Sequence, residues 1–457
     1  MKTYLTETLH VQHLVQHIIC TILHFLVDGL CLCCLYLLTT PTSPTGLVGI
    51  FITYNVLAFL TQPLTGYWVD KMKHKQRMLL MSIFFLILAV LATSFTIATG
   101  SSAVSPASMT LIATLLGFGN SFFHVWGGKQ VATTSDNDMR ALGLFVSTGA
   151  MGLAVSMVYY SWTLLYVYLL SICILSLFTL RDMPEVQVSP STLFSKNHLV
   201  SASTATVLAL VLLFAFVMFR SFIGEAFSSG FSKSQSTILL LGAICMFGKM
   251  AGGWLAKYIG ILKAMLVILF VVFICLMNLG VHWSVLVLGL FTINLTMPIT
   301  LHLANRVLPG KEGLAFGILA AALMPGYLLF NSSGAFSAFQ SGWLTSVEAI
   351  MLWALLTTIL IELLVLLQLG ERRKKILLAC VAINILTNVS LNSYLFFVEY
   401  TDITLIVGEV LVVLIEALCY YFFTKNLAQS FVYSLLCNAI SFLLGELFQL
   451  IFTAFGT

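Results

Sequence analysis

Charged residues are scarce in this sequence. Only 8% of the 457 residues are Asp, Glu, Lys or Arg, whereas 60% are hydrophobic. Soluble domains carry about 25% charged residues, so the composition excludes a water-soluble protein and favours an integral membrane protein. The formal net charge is only +4, and we expect no nucleic-acid partner.

Long polar connections are missing as well. Apolar runs of about 20 residues, enough to cross the hydrocarbon layer as a helix, follow one another from residue 14 to residue 453, and the longest connection is 181–198. The runs lack the period-two alternation of barrel strands, so they predict helices. We predict an all-α polytopic membrane protein with fifteen spans: 14–39, 46–69, 78–98, 108–132, 141–160, 162–180, 199–226, 235–257, 261–280, 283–305, 313–332, 345–369, 375–398, 402–424 and 428–453.

Catalytic signatures are absent too. The sequence has no His-x-x-x-Asp repeat, nucleophile elbow, phosphate-binding loop or acidic metal box, so we predict no enzyme, no cofactor and no bound metal. All ten cysteines lie inside or at the ends of apolar runs, where a thiol packs as a small hydrophobe.

The positive charges collect on alternate connections. The N-terminus and the even-numbered connections hold the run 71–77 and the run 372–375 among others, whereas the odd-numbered connections hold only Lys233. By the positive-inside rule, we predict a multi-pass protein of the cell membrane with a cytoplasmic N-terminus. Fifteen crossings then place the C-terminus outside.

Two short motifs recur along the chain. Gly66-Tyr-Trp-Val-Asp70-Lys71-Met-Lys73 has a counterpart in Gly253-Trp-Leu-Ala-Lys257-Tyr-Ile-Gly260. A second pair matches residues 142–152 with residues 316–326. Parallel repeats of this kind are typical of rocking transporters, and they predict two pseudo-symmetric six-helix bundles, 1–180 and 199–370. A linker, 181–198, joins the bundles, and residues 371–457 add three further helices.

The first of these motifs resembles the signature loop of the major facilitator superfamily, Gly-x-Leu-Ala-Asp-Arg-x-Gly-Arg-Lys. The resemblance implies transport by alternating access and a conformational gate; the matching residues of the two copies are Gly66, Asp70, Lys71, Lys75, Gly253 and Gly260. Each copy departs from the pattern, with Lys73 in place of the second glycine and Lys257 in place of the acid. The alternative interpretation is a simple positive-inside anchor.

Residues 23–29 and 117–128 resemble the fosmidomycin-resistance-like efflux branch of that superfamily, although the span 141–160 lacks the Gly-Pro pair that antiporters commonly carry. The resemblance implies proton-coupled efflux of a drug or metabolite by a monomer. Proton-coupled uptake of a polar solute or organic anion is the second hypothesis. A membrane enzyme or lipid-handling protein that uses the C-terminal helices is the third.

Polar residues within the spans are the candidates for chemistry, because a charge at mid-helix costs about 2.5–3.5 kcal/mol. His24 and Asp28 are four residues apart and share a helix face, so they are our first candidates for proton coupling. A hydrogen-bonded pair that pins two helices is the alternative. Asn120 and His124 complete the predicted cavity, since the resemblance implies that the first and fourth helices line the pathway.

Other spans add further polar positions. Arg220 cannot shed its charge and must find an anion, a carbonyl or water. Asn294 and His302 flank Pro298 on one stripe of a span that the proline is expected to break. Lys129 and Lys249 lie about two turns from helix ends, and we expect both to extend to the interface.

The C-terminal spans have their own polar pattern, for which we find no family resemblance. We predict a polar cluster there, formed by Asn384, Asn388, Glu409, Glu416 and Glu446. Amide groups commonly hydrogen-bond between membrane helices, whereas Glu409 and Glu416 could hold protons, bind a cation with the asparagine oxygens or pair with basic groups of the bundles. We expect this extension to be accessory to transport.

Overall fold

The predicted spans form α-helices where the structure describes them. The computed structural model describes residues 2–39, 44–98, 106–182, 204–232, 234–278, 282–332, 347–397 and 401–455. Within these ranges the regular elements are all helices, which confirms the all-α fold class. Nine of the described helices are long and apolar enough to cross a membrane, so the protein is a multi-pass membrane protein, while the count of fifteen crossings stays a prediction.

The helices fall into two compact units, Met1–Ser337 and Ala338–Thr457. The first unit contains α1 Lys2–Thr39, α2 Pro44–Asn55, a π-helix Val56–Leu60, α3 Gln62–Lys71, α4 Gln76–Ala98, α5 Pro106–Thr134, α6 Met139–Tyr159, α7 Trp162–Asp182, α8 Thr204–Ser229, α9 Gln235–Ile259, α10 Ile261–Met277, α11 Trp283–Asn294, α12 Thr296–Val307, α13 Glu312–Ala321 and α14 Leu323–Ser332. The second contains α15 Val347–Gln368, α16 Lys374–Phe397, α17 Asp402–Thr424 and α18 Leu427–Phe455.

Three predicted spans are broken, each beside a proline. Pro63, Pro298 and Pro325 lie in the first turns of α3, α12 and α14. A proline has no N–H for the carbonyl four residues earlier, whereas it is tolerated in a first turn. The chain therefore starts a new helix just before each proline, and the break predicted near Pro298 lies at Leu295.

The second unit begins earlier than the predicted boundary at residue 371. Its helix α15, which the sequence analysis assigned to the bundle 199–370, packs with the three helices that follow it. Leu366 of α15, Ile376 and Cys380 of α16, and Cys437 of α18 share one buried core. The predicted linker lies outside the described residues from 183 onward, and the division into two six-helix bundles stays a prediction.

In the first unit, α6 packs along both α1 and α9. Glycines allow these close approaches. A Cβ on Gly152 of α6 would overlap the carbonyl oxygen of Phe25 on α1, and a Cβ on Gly242 of α9 would overlap the side chain of Ala154. Small residues at helix contacts are the usual means of packing in a bilayer. This packing holds α6 directly against the polar part of α1.

Candidate functional site

Four of the polar residues predicted for the cavity meet inside the first unit. His24 and Asp28 lie on α1, Asn120 and His124 lie on α5, and all four are buried. Asn120 Nδ2 donates to Asp28 Oδ1 at 2.9 Å. His24 Nε2 lies 3.3 Å from Asp28 Oδ2, and His124 Nε2 lies 3.5 Å from Asp28 Oδ1. We call these four residues the His–Asp cluster.

The imidazoles of the His–Asp cluster have a defined tautomer. His24 Nδ1 lies 2.6 Å from the carbonyl oxygen of Phe145, and His124 Nδ1 lies 2.9 Å from that of Asn120. Because a carbonyl oxygen only accepts, each Nδ1 carries a proton. The lone pairs of neutral imidazoles would then face each other, since the two Nε2 atoms are 2.8 Å apart.

The His–Asp cluster therefore needs one further positive charge. A proton on either Nε2 would supply it, because that nitrogen could then donate to the other. A cation between the ligand atoms would also supply it. One ligand atom each of His24, Asp28 and His124 lies within 4.8 Å of the others, and imidazole and carboxylate are ligands that divalent metals accept.

Asp70 connects the predicted gate motif to another helix. Its Oδ1 accepts a hydrogen bond from Gly313 N at 3.0 Å, and its Oδ2 accepts one from Leu314 N at 2.8 Å. These two N–H groups belong to the first turn of α13, where a carboxylate is favourable. A Cβ on Gly66 would overlap the carbonyl oxygen of Gly313, so the contact between α3 and α13 depends on a glycine. We call it the first crossing.

The first crossing also contains a buried cation. The Lys129 ammonium pairs with Asp70 and lies 3.6 Å from Glu312 Oε2. The Lys129 side chain is only 5% exposed, so the expectation that it extends to the interface is wrong. A buried charge is normally paired, and here Asp70 and Glu312 supply the partners.

The second copy of the motif makes an equivalent contact with its charges exchanged. A Cβ on Gly253 of α9 would overlap the carbonyl oxygen of Met139, the first residue of α6. Asp138 caps α6 by accepting from Arg140 N at 2.8 Å, and Lys257 Nζ lies 3.7 Å from Asp138 Oδ2. The acid is thus on the capped helix and the cation is on the motif. We call this contact the second crossing.

Asp138 is ionised at neutral pH. Partial burial raises the pKa of its carboxyl group, but hydrogen bonds from Arg140 and the nearby Lys257 outweigh burial and hold the pKa below its usual value. A charged cap at a helix N-terminus is favourable. The carboxylate of the second crossing therefore stays ionised across the physiological pH range.

The remaining gate residues lie outside the two crossings. The Lys71 ammonium lies 4.2 Å from the centroid of the Tyr67 ring, and its side chain is exposed. Lys75 is half-buried in the charged hairpin. Gly260 ends α9 with a φ of +88°, a conformation that favours glycine.

A second polar site lies between α8, α9, α11, α12 and α14. It is a cavity of about 230 Å³ whose lining includes Arg220, Glu225, Lys249 and Asn294. Arg220 is 6% exposed, and its Nε has no hydrogen-bond partner in the part of the chain that the structure describes. Asn294 Nδ2 donates to the carbonyl oxygen of Leu290 at 2.8 Å. We call this the cation cavity.

His302 belongs to neither site. Its Nδ1 lies 2.7 Å from the carbonyl oxygen of Asn137, and Asn305 Nδ2 donates to Asn137 Oδ1 at 2.9 Å. Asn137 has a φ of +60°, so α12 holds the tight turn that leads into the cap of α6. His302 therefore supports the second crossing, although the sequence analysis assigned it to the cavity.

Comparison with known proteins identifies the family. The model of the Major Facilitator Superfamily matches residues 4–330. The chain belongs to this superfamily. A variant of the E. coli fucose:proton symporter FucP is similar in structure, with a TM-score of 0.53, 11% identity, and coverage of 72% of this chain and 93% of that one. FucP in the outward conformation gives a TM-score of 0.51, 13% identity, and coverage of 72% and 94%. No curated protein matches the sequence.

The superfamily match covers almost all of the first unit and none of the second. The His–Asp cluster, both crossings and the cation cavity lie within the matched residues. The superfamily and its fold are those of transporters, so a transporter is favoured over an enzyme.

The second unit contains two equivalent carboxylate–amide pairs. Asn384 Nδ2 donates to Glu362 Oε2 at 2.5 Å, and Asn438 Nδ2 donates to Glu416 Oε2 at 2.5 Å. Both glutamates are fully buried. The two glutamates are 54 residues apart, and so are the two asparagines. The hairpin of α15 and α16 is therefore repeated by that of α17 and α18.

Sequence reasoning found only part of this polar cluster. It missed Glu362, which lies in a span without other charged residues beyond Glu348; the 54-residue spacing would have indicated it. Asn388 Nδ2 donates to Thr358 Oγ1 at 3.2 Å, and half-buried Glu409 lines a cavity of about 370 Å³ beside Asn438. The side chain of Glu446 lies outside the described residues.

Proposed function

We propose that this protein is a secondary active transporter that moves a small molecule across the cell membrane by alternating access and couples that movement to protons. The observation that carries the proposal is the His–Asp cluster. Its two fixed Nε2 atoms and the Asp28 carboxylate converge, and they need one added positive charge. A proton that binds there in one conformation and leaves in the other would couple substrate movement to the proton gradient.

The two crossings supply the conformational element of this proposal. Both tie helices of residues 1–180 to helices of residues 199–370 on the side of the charged hairpin 66–78. Opening that side requires Asp70 to leave α13 and Lys257 to leave Asp138. We place the hairpin, and with it the N-terminus, in the cytoplasm because of the positive-inside rule.

The direction of transport separates two forms of the proposal. Efflux of a drug or metabolite is supported by the resemblance of residues 23–29 and 117–128 to the fosmidomycin-resistance-like branch. Uptake of an organic anion is supported by Arg220 and Lys249 in the cation cavity. An enzymatic or lipid-handling role would depend on the polar residues of the second unit alone.

Reconstitution into liposomes with opposite pH gradients tests coupling and direction together. Each compound of a panel of small carboxylates, neutral sugars and drug-like amines is added outside, and its accumulation is measured. An exchanger of protons for substrate accumulates its substrate when the lumen is acidic, whereas a symporter does so when the outside is acidic. Accumulation that is identical under both gradients and without a gradient would contradict proton coupling.

The variant Asp28→Asn removes the carboxylate of the His–Asp cluster. We expect it to lose accumulation at least tenfold, since one lost charge-assisted interaction of about 1.4 kcal/mol has that effect. Asp136→Asn is the matched control, because Asp136 is exposed. A parallel assay in the presence of a chelator tests for a metal. If transport then requires an added divalent metal, a metal ion and not a proton is the coupling cation.

A further inference from the structure

We infer that the cation cavity binds a small organic or inorganic anion, such as a carboxylate or phosphate, and that this anion is the transported substrate. This inference rests on the proposed function, and it specifies the substrate class. It follows from the charges, the space and the surroundings of the cavity.

The charges of the cavity are unbalanced. Arg220 and Lys249 both line it, and within the described residues neither forms an ion pair with a carboxylate. Among the described lining residues, two basic side chains thus face one carboxylate, Glu225. An arginine cannot neutralise itself by losing its proton, and an unpaired charge is costly within a membrane protein. A bound anion would offset that cost.

Arg220 has a hydrogen-bond donor that is available to a ligand. The residue is 94% buried, and its Nε–H has no acceptor among the described residues. The guanidinium group offers a fork of donors that matches the two oxygens of a carboxylate or phosphate. An unpaired buried donor of this kind is expected where a ligand supplies the acceptor.

The space in the cavity limits the size of the anion. Its volume of about 230 Å³ is below the range of roughly 300–1,000 Å³ that is common for drug-sized ligands. One wall is Gly224, where an added Cβ would meet nothing within 4 Å. The site therefore suits a small anion and offers a position at which it can be filled without a clash.

Lys249 connects the cavity with the His–Asp cluster. It lies close enough to both Arg220 and Asp28 to interact electrostatically with each of them. An anion beside Lys249 would weaken the repulsion between this ammonium and a positive charge in the cluster. Anion and proton would then favour each other's binding, which is the reciprocity that coupled transport needs.

Binding to the purified full-length protein in phosphatidylcholine nanodiscs tests the inference without any gradient. The probes are lactate, succinate and inorganic phosphate, with glycerol as a neutral control and choline as a cationic control, measured by calorimetry. We expect at least one anion to bind and glycerol and choline not to bind. Arg220→Gln should weaken anion binding at least about tenfold, whereas Arg306→Gln, which alters an exposed arginine, should not.

Gly224→Leu provides a test that keeps both cations. Its side chain points into open space, and leucine favours helix over glycine, so the protein should fold and lose anion binding. Anion binding that is unchanged in both Arg220→Gln and Gly224→Leu would overturn the inference, as would wild-type protein that binds none of the three anions.

Different results would refute the anion site and the proposed function. Anion binding in the wild type without any proton-coupled flux would refute the proposed function alone. Proton-coupled flux of a neutral or cationic compound that Arg220→Gln leaves intact would refute the anion site alone.

Discussion

At the scale of single residues, Gly149 controls the geometry of the His–Asp cluster. It lies on α6 where that helix passes the cluster. A Cβ at this position would overlap Asp28 Oδ2 and lie 2.6 Å from His24 Nε2. Both atoms belong to groups that are held by other hydrogen bonds, so neither can move aside without losing one.

Gly149→Ala is therefore expected to impair coupling. Displacement of Asp28 or His24 would lengthen the Nε2 contact, and we predict that proton-driven accumulation falls at least about tenfold, as for a loss of roughly 1.4 kcal/mol. Transport by the reconstituted variant measures this. Asp136→Asn, which alters an exposed residue, is the control; equal accumulation in the two variants would contradict the geometry of the cluster.

Glu371 gives a residue-scale prediction for the second unit. It lies between α15 and α16, outside the spans. Hydrogen bonds from Arg373 lower the pKa of its carboxyl group to about 2, against a smaller opposing effect of burial, and Tyr433 also donates to it. Its pKa is lower in the folded state than in the unfolded state, so this interaction stabilises fully above the unfolded pKa and is lost as the pH falls toward 2.

We predict that Glu371→Gln lowers stability at pH 7 by about 1 kcal/mol and has a smaller effect near pH 2. Thermal unfolding of wild type and variant at the two pH values measures the difference. Asp136→Asn serves as a control for an exposed acid. A larger destabilisation at pH 2 than at pH 7 would contradict the assigned ionisation.

The sequence indicated the residues of the cluster better than their contacts. The spacing of His24 and Asp28 is a property of one helix, so it was readable, and the resemblance to a family supplied Asn120 and His124. The facing Nε2 atoms depend on the separation of α1 and α5, which no local pattern reports. For the same reason the burial of Lys129 and the pairing of Lys257 with Asp138 were not predictable.

At the scale of elements, the two crossings are the same kind of helix contact, with the positions of the acid and the cation exchanged. In each, a glycine brings a helix against the first turn of another, and a carboxylate caps that turn. In the first crossing the acid comes from the motif; in the second it belongs to the capped helix, and the motif supplies Lys257. The departure of the second copy from the superfamily pattern thus has a physical explanation, since the charge pair is kept although its two charges have changed helices.

Asp70→Asn tests the first crossing. The variant leaves Lys129 as a buried cation that is paired only distantly with Glu312, and breaking a buried pair costs about 3–5 kcal/mol. We predict that the hairpin side opens more often. Spin labels at Lys73→Cys and Lys311→Cys, both exposed positions, should then give longer distances by electron resonance.

The neighbouring variant Lys71→Gln is the control for this measurement, because the Lys71 ammonium lies over the Tyr67 ring. It should leave the distance distribution unchanged. An unchanged distribution in Asp70→Asn as well would mean that the first crossing does not hold this side closed.

Elements were the best-predicted level. Each of the fifteen predicted spans contains described helix, and the prolines explain where three of them break. The sequence did not predict that α15 packs in the second unit, because the apolar sequence of α15 resembles that of every other span. Its partners are decided by side chains such as Glu362, whose amide donor is on α16.

At the scale of the whole molecule, the chain joins a superfamily transporter to a unit with an internal repeat. Each half of that repeat buries one glutamate, whose Oε2 accepts a hydrogen bond from an asparagine of the following helix. This arrangement predicts how truncations behave. Removal of residues 376–457 would leave Glu362 without Asn384 and leave α15 without α16 and α18.

We predict that deletion of 376–457 destabilises the protein more than deletion of 338–457, which removes the second unit entire. Yield and thermal unfolding of the two truncated proteins measure this. If the longer deletion keeps proton-coupled transport, the second unit is accessory. A shorter truncation that is as stable as the full chain would contradict the packing of α15 with the second unit.

Coupling of transport to protons by the His–Asp cluster is tested by comparing substrate exchange with gradient-driven accumulation in Asp28→Asn. In liposomes loaded with substrate, the exchange of labelled for unlabelled compound is measured; this exchange needs no net proton movement. Accumulation driven by a pH gradient is measured in parallel. We predict that Asp28→Asn retains exchange and loses gradient-driven accumulation. A variant that keeps gradient-driven accumulation at the wild-type level would contradict it.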